Sequence, residues 1–274
     1  MNELTNNYVK SKLRKREIAS NKSDHGHALI VAGRQGFMGA AVISAKACLR
    51  SGVGLLTVSV PRKERFILQI SIPEAMVLMR EEQDYSLDRY SAIGIGPGLG
   101  TDKKSREILT SVVKQSKTPL VLDADALTII SKNKKVLMSV PAESVLTPHT
   151  GEFDRLFGKH ANNDERIITA TNAAREFNLI IVLKGMKTAI ITASGIYYNT
   201  TGNAGLAKGG SGDALTGIIT SFIAQGYTPL IAAQLGVYIH GLAADLSCNQ
   251  QSVESMLITD VIENLGKAFE AIRV

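Results

Sequence analysis

Two kinds of segment alternate along this chain. Nearly continuous apolar runs, HALIVAG (27–33), LLTVSVP (55–61), SAIGIGPG (91–98) and PLVLDADAL (119–127), are separated by longer amphipathic stretches such as AAVISAKACLRSG (40–52) and KSREILTSVVKQS (104–116). The pattern continues through SVLTPHTGEF (144–153), RIITATNAAREFN (166–178) and LIIVLKGMKT (179–188). A strand that is apolar on every residue is buried on both faces, and parallel strands need a crossover of helix length between them. The alternation therefore predicts an α/β fold, a three-layer α/β/α sandwich with a mostly parallel central sheet. AIITASGIYYN (189–199) is expected to differ, as a hairpin turning at Ala193, Ser194 and Gly195. From Asp213 almost to Val274 the sequence reads as helix. No linker rich in Pro, Gly or Ser and no internal repeat divides it, so residues 1–274 are read as one domain.

A net charge of +6 over 274 residues favours acidic ligands such as nucleotides. Nucleic acid is the weaker reading, because tryptophan is absent and no aromatic residues interleave the densest basic run, KSKLRKRE (10–17), which reads as a solvated helix face. That run lacks the apolar segment of a secretory signal, and no apolar stretch is read as a membrane span of about 20 residues. A cytoplasmic protein without membrane contact is expected. Cys48 and Cys248 lie far apart with no partner at metal-ligand spacing, so both are expected to be buried thiols. AAQLGVYIHGLAADL (232–246) suits either a core or a subunit interface, and a homo-oligomer is expected.

In open α/β sheets, ligands sit beyond the carboxyl ends of the strands. Glycine loops stand at those ends. Gly33, Gly36 and Gly39 are spaced three and three, and Gly94, Gly96, Gly98 and Gly100 alternate, so neither loop matches GxGxxG. The GxxxxGK[ST] pattern is also missing, which leaves a nucleotide site of another type or simple tight turns. His149 follows the strand-like SVL, with Pro148 discouraging helix before it; it can be structural or a ligand contact. Asp125 can cap the helix that follows it, whereas Asp123 can orient a neighbouring group or a hydrated Mg2+ ion. Neither is read as catalytic. Lys184 and Lys187, just past a strand, can meet phosphate.

The segment TGNAGLAKGGSGDALTG (201–217) places one acid, Asp213, where a glycine loop becomes a helix. Unpaired N–H groups and a partial positive charge make such a terminus a seat for anions, and a carboxylate there either caps the helix or stands beside bound phosphates. GGSGDALTG resembles the signature loop of ribokinase-like enzymes, in which a glycine-rich anion hole precedes a catalytic aspartate. The ordered set GFMGAAVISAKACLRSGVGLLTV, IGPGLGT, LDADAL, TPHTGEF, LKGMKT and GNAGLAKGGSGDALTG resembles the NAD(P)H-hydrate dehydratase branch of that superfamily, from about residue 24 to near the C-terminus.

The resemblance implies a ribokinase-like sandwich and ADP- or ATP-dependent repair of hydrated NADH and NADPH (NADHX and NADPHX). The products are the intact cofactor, AMP or ADP, and phosphate, with bacterial members using ADP. By the same resemblance Ala41, Gly98 or Gly100, His149 and Asp213 contact the hydrate. Lys184, Gly185, Met186, Lys187 and Thr188, with Gly212, contact the nucleotide. Gly209, Gly210, Ser211 and Gly212 then offer N–H groups to the transferred phosphoryl group, and Asp213 is the base. The helix terminus is expected to keep Asp213 ionised. Mg2+ would bridge the nucleotide phosphates, held mostly by water and phosphate oxygens, so no dense cluster of protein ligands is expected. Thr150, Lys208 and Ala214 depart from residues common in the family without removing a donor or the acid. Some relatives carry a fused N-terminal epimerase domain. About two dozen residues precede the first strand read here, so an epimerase is expected to be a separate protein. The competing readings are a small-molecule kinase of hydroxymethylpyrimidine or hydroxyethylthiazole type, and a nucleotide-binding regulator without turnover.

Overall fold

Side-chain parity lets one apolar run serve two layers. In strand β2 (His27–Val31), Ala28 and Ile30 join the core on one face of the sheet while Leu29 and Val31 join the core on the other. In this computed structural model, which describes residues 2–82 and 86–274, the same parity recurs along a single ten-stranded sheet. The other strands are β1 (Asn2–Glu3), β3 (Leu55–Val60), β4 (Met76–Met79), β5 (Ala92–Ile95), β6 (Leu120–Leu122), β7 (Val145–Leu146), β8 (Ile180–Leu183), β9 (Ala189–Ile191) and β10 (Ile196–Tyr198). Their order is β1-β10-β9-β8-β7-β6-β5-β2-β3-β4. Pairing is parallel from β4 to β8 and between β1 and β10, and antiparallel on both sides of β9. Helices Met38–Arg50, Ser211–Ala224 and Pro229–Cys248 cover one face, and Lys103–Gln115, Asp125–Lys132 and Asn163–Phe177 the other. The three-layer sandwich predicted from the alternation is the observed fold.

The expected hairpin is present, closed by the Thr192 N–H donating to the Gly195 carbonyl at 2.9 Å. Four expectations need correction. The basic run is not one helix face: helix Asn6–Lys12 ends inside it, and residues 13–17 form an irregular strap. Arg14 stacks 4.5 Å over Tyr227 and donates to the Gly226 carbonyl, while Arg16 donates to the Gly52 carbonyl. Both cations thus meet the carbonyl-rich ends of the two central helices, where positive charge is favourable. His27 does not begin the first strand either, because β1 precedes it and adds a short polar edge beside β10.

The stretch 232–246 belongs to a 20-residue helix, Pro229–Cys248, long and apolar enough by length and composition alone to cross a membrane. It is apolar because it is enclosed, with Ala232, Leu235, Ile239 and Ala243 all in the core. Of the two thiols only Cys48 is buried, and burial pushes its pKa far up; Cys248 ends a helix half-buried, its Sγ 3.7 Å from Met256 Sδ.

Candidate active site

The chain order reverses at β2, with β3 on one side and β5 on the other. The loops leaving β2 and β5 stand beyond the strand ends there, the position at which ligands bind in open α/β sheets. The Gly33 N–H donates to the Pro97 carbonyl at 2.7 Å and holds the two loops together at their base. Of the residues expected to meet the hydrate, Gly98 is half-buried and Gly100 buried in the loop after β5. Ala41 is fully buried in helix Met38–Arg50, and a side chain at Gly33 would lie 2.9 Å from its Cβ. The Gly100 N–H donates to Asp125 Oδ2 at 2.8 Å. Asp125 therefore braces the neighbouring loop instead of capping its own helix, which corrects the sequence expectation. Ala124 makes this possible by adopting φ +49°, a strained turn that sends Asp123 toward Lys184 and Asp125 toward Gly100.

The acid of the glycine loop lies close enough to Asp123 and Asp125, at the end of β6, to feel their charge. Gly210, at φ +95°, opens helix Ser211–Ala224, and Asp213 stands in its first turn. Gly212 has no room for a side chain, since a Cβ there would lie 2.9 Å from Lys184 Nζ and 3.2 Å from Asp123 Oδ2. A buried ion pair is thus pressed against the helix terminus. Lys184 Nζ donates to Asp123 Oδ1 at 2.9 Å, and Thr216 Oγ1 donates to Asp123 Oδ2 at 2.9 Å, leaving both oxygens of the buried carboxylate committed. Burial works against the charge on Lys184, but Asp123, Glu152 and Asp213 together hold its pKa above the ordinary lysine value.

Asp213 does not behave as its helix position alone suggests. Burial, with Asp123, Asp125 and Glu152 nearby, pushes its pKa up to about 6 against the opposing pull of Lys184. A helix terminus stabilises a carboxylate by about 1 kcal/mol at most in ordinary settings. Desolvation and three like charges outweigh it.

A cavity of about 800 Å³ opens on the Lys184 side of this acid, with Ser211 and Gly212 in its wall. Of the loop after β8, Lys184, Gly185, Met186 and Thr188 line it; Lys187 instead pairs with Glu3 at 2.9 Å. Gly209 and Gly210 are not on the wall. Lys208 is, but its Nζ donates to the Met256 and Glu254 carbonyls and anchors the loop to a neighbouring segment. His149 borders the same cavity, where the Lys184 N–H donates to the Pro148 carbonyl at 2.9 Å. It also caps helix Thr150–Phe157: its Nδ1 accepts from the Gly151 N–H at 3.0 Å, while Glu152 Oε2 accepts from the His149 N–H at 2.9 Å. His149→Ala should therefore lower the unfolding free energy by about 1 kcal/mol, and His149→Asn, which keeps a capping acceptor, by much less. Urea denaturation of the two variants checks this.

Sequence reasoning missed Glu152 and the cavity's outer wall, which is formed by Asn199, Thr201, Leu206, Val237 and His240. It also missed Asp245, which accepts from the Gly202 N–H at 2.8 Å and from Asn203 Nδ2 at 3.0 Å and so fixes the start of the glycine loop. An acid and a histidine inside an otherwise apolar helix were the available signal.

A family model described as NAD(P)H-hydrate dehydratase matches residues 28–267. The chain belongs to the NAD(P)H-hydrate dehydratase family. Its sequence is 33% identical to the ADP-dependent (S)-NAD(P)H-hydrate dehydratase of Listeria monocytogenes, over 97% of this chain and 95% of that one. The ADP/ATP-dependent NAD(P)H-hydrate dehydratase of Bacillus subtilis, co-crystallized with ATP/Mg2+, shares the fold with a TM-score of 0.87 at 30% identity, covering 99% of this chain and 98% of that one. The sandwich is ribokinase-like. Identity reaches 37% with the bifunctional NAD(P)H-hydrate repair enzyme of Moorella thermoacetica, over 96% of this chain and 52% of the relative. The chain thus spans about half the length of the bifunctional family members it matches.

Proposed function

We propose that this protein is an ADP-dependent (S)-NAD(P)H-hydrate dehydratase, a repair lyase that returns NADHX and NADPHX to NADH and NADPH. The observation that carries the reading is the setting of Asp213. It stands next to Gly212 of the cavity wall, feels the charges of Lys184 and Asp125, and has its pKa pushed up to about 6. A carboxylate with such a pKa is ionised at neutral pH yet basic enough to take a proton from a hydroxyl in the transition state.

In this reading the nucleotide occupies the cavity, against Lys184, Gly185, Met186, Thr188 and Gly212. The hydrate lies against Gly98, with the buried Ala41 and Gly100 shaping the wall behind it and His149 at the border. Asp213 removes the proton of the hydrate's hydroxyl as that oxygen takes the terminal phosphoryl group of ADP, releasing AMP. The phosphate ester is a far better leaving group than hydroxide. Its C–O bond then breaks while the adjacent ring carbon loses a proton, which restores the double bond and frees phosphate. The N–H groups at the start of helix Ser211–Ala224 stabilise charge on the moving phosphoryl oxygens, and Lys184 adds a fixed cation beside them.

Among the described residues no group of three or more His, Cys, Asp or Glu side chains is placed to hold a metal ion, and both oxygens of Asp123 are already committed. Those residues fit a Mg2+ ion that would be carried mostly by the nucleotide phosphates and water, and such an ion would neutralise phosphate charge. The reading also places the protein in the cytoplasm, as a homo-oligomer working with a separate epimerase.

The test is an incubation of protein, ADP, Mg2+ and hydrated NADH, followed at the absorbance band of reduced nicotinamide. Recovery of the band with one AMP per NADH is expected. Transfer of phosphate to a vitamin precursor without recovery would identify a small-molecule kinase instead.

A further inference from the structure

We propose that His240 is a nucleotide-specificity residue, hydrogen-bonding the uncharged part of the nucleotide, its ribose or its base, at the wall of the cavity. The inference rests on the cavity being the nucleotide site, as proposed above. His240 lies in helix Pro229–Cys248, is only 6% exposed, and borders the cavity together with Val237 and Gly241. Its Nε2 is buried without a hydrogen-bond partner in the protein. A buried polar atom left unpaired costs about 1–3 kcal/mol, so its retention in an otherwise apolar helix calls for a partner. Ser59 Oγ, Arg34 Nε and Gln234 Nε2 are also enclosed without a partner, but none of these residues borders the cavity. Among the described residues, His240 is the one that combines such an unpaired atom with a place on the cavity wall.

The character of the ring indicates which part of the ligand it meets. Burial, reinforced by the nearby Lys184 cation, pulls its pKa down to about 4. The imidazole is therefore neutral at physiological pH, with one nitrogen donating and the other accepting. A phosphate would call for charge, which Lys184 and the helix terminus at Ser211 and Gly212 already supply in this cavity. A neutral donor–acceptor ring matches a ribose hydroxyl or a base nitrogen, which also donate and accept without charge. Leu206, Leu215 and Val237 furnish apolar wall for a base in the same cavity.

The experiment compares two probes, ADP with Mg2+ and pyrophosphate with Mg2+, the second lacking ribose and base. Calorimetry on His240→Leu should show ADP affinity falling about 10-fold, with pyrophosphate affinity unchanged. His240→Gln, which returns a polar nitrogen to nearly the same place, should recover most of the loss. Melting curves should show both variants folded, since leucine removes an unpaired polar atom from the core. In the wild-type protein the His240 ring nitrogens, followed by 15N resonance, should shift on adding ADP and stay put on adding pyrophosphate. Equal weakening of both probes, unchanged ADP affinity in a folded His240→Leu protein, or wild-type protein that binds pyrophosphate but not ADP would each overturn the assignment. Because these are binding measurements, they separate the two readings. ADP binding through His240 without recovery of NADH defeats the proposed reaction alone, whereas recovery of NADH with ADP affinity indifferent to His240 defeats this inference alone.

Discussion

Asp213→Asn should cut turnover by about 100-fold or more while raising the melting temperature at pH 8. The two effects have one origin. In the unfolded chain this carboxyl titrates near its model value of 3.8, and in the folded protein near 6. An acid whose pKa is raised by folding contributes stability that is complete below the unfolded value and is lost as pH climbs through the folded one. Above pH 6 the ionised carboxylate thus holds the fold back by up to about 3 kcal/mol, the equivalent of the shift. Asparagine keeps the shape but never ionises, so the variant escapes that cost. It should melt above the wild type at pH 8, and the two curves should converge near pH 4. If the side chain served only as a helix cap, the variant would instead lose a few tenths to about 1 kcal/mol and keep its activity. Thermal melts at pH 4, 6 and 8, set beside the NADH-recovery assay, separate these outcomes. Near-normal turnover in the folded variant sinks the mechanism, and a lower melting temperature at pH 8 sinks the electrostatic account. Wild-type kcat/KM should also show an acid limb near pH 6.

The contrast between Asp213 and its sequence context shows what a linear reading can reach. The strands were legible wherever apolar runs such as HALIVAG and LIIVL were buried on both faces, because burial leaves a continuous signature. β1 left none, being two polar residues at an edge, and β4 left little, with Met76 nearly half exposed. The functional loops were legible as glycine clusters at strand ends. What those clusters hold was not legible from residue spacing. The pairing of Asp123 with Lys184 joins residues 61 positions apart, and the carboxylates that raise the Asp213 pKa arrive from the ends of β6 and β7. The helix terminus contributes only its local dipole, whereas desolvation is a property of the assembled site. His240 was hidden for the opposite reason: it sits in a run that reads as core, and most of that run is core.

Lys184→Met should lower the melting temperature by about 10 °C and weaken ADP binding at least about 10-fold. Methionine matches the length of the lysine stem and fills its volume, so the change isolates the ammonium. Removing one partner of a buried ion pair typically costs about 3–5 kcal/mol, because the other charge stays behind unpaired. Here the remaining charge is Asp123, which is 1% exposed and would keep only the hydroxyl of Thr216. Asp213 and Glu152 lose the same cation, since both help to hold the Lys184 pKa up. The sign of that shift sets the pH window. A lysine whose pKa is raised by folding contributes stability that is fully present below its unfolded value of 10.5 and declines only above it, so the wild-type contribution should be intact from pH 5 to 9. The double variant Lys184→Met/Asp123→Asn distinguishes a broken pair from a lost contact. With the buried charge neutralised as well, more than half of the stability should return, because a buried pair removed together costs far less than half of it removed alone. ADP affinity should not return, since the cation facing the phosphates is still missing. A Lys184→Met protein that melts like the wild type would dissolve the ion-pair argument. A double variant that melts lower still would show Asp123 acting through Thr216 alone, and unchanged ADP affinity in either protein would remove Lys184 from the nucleotide site.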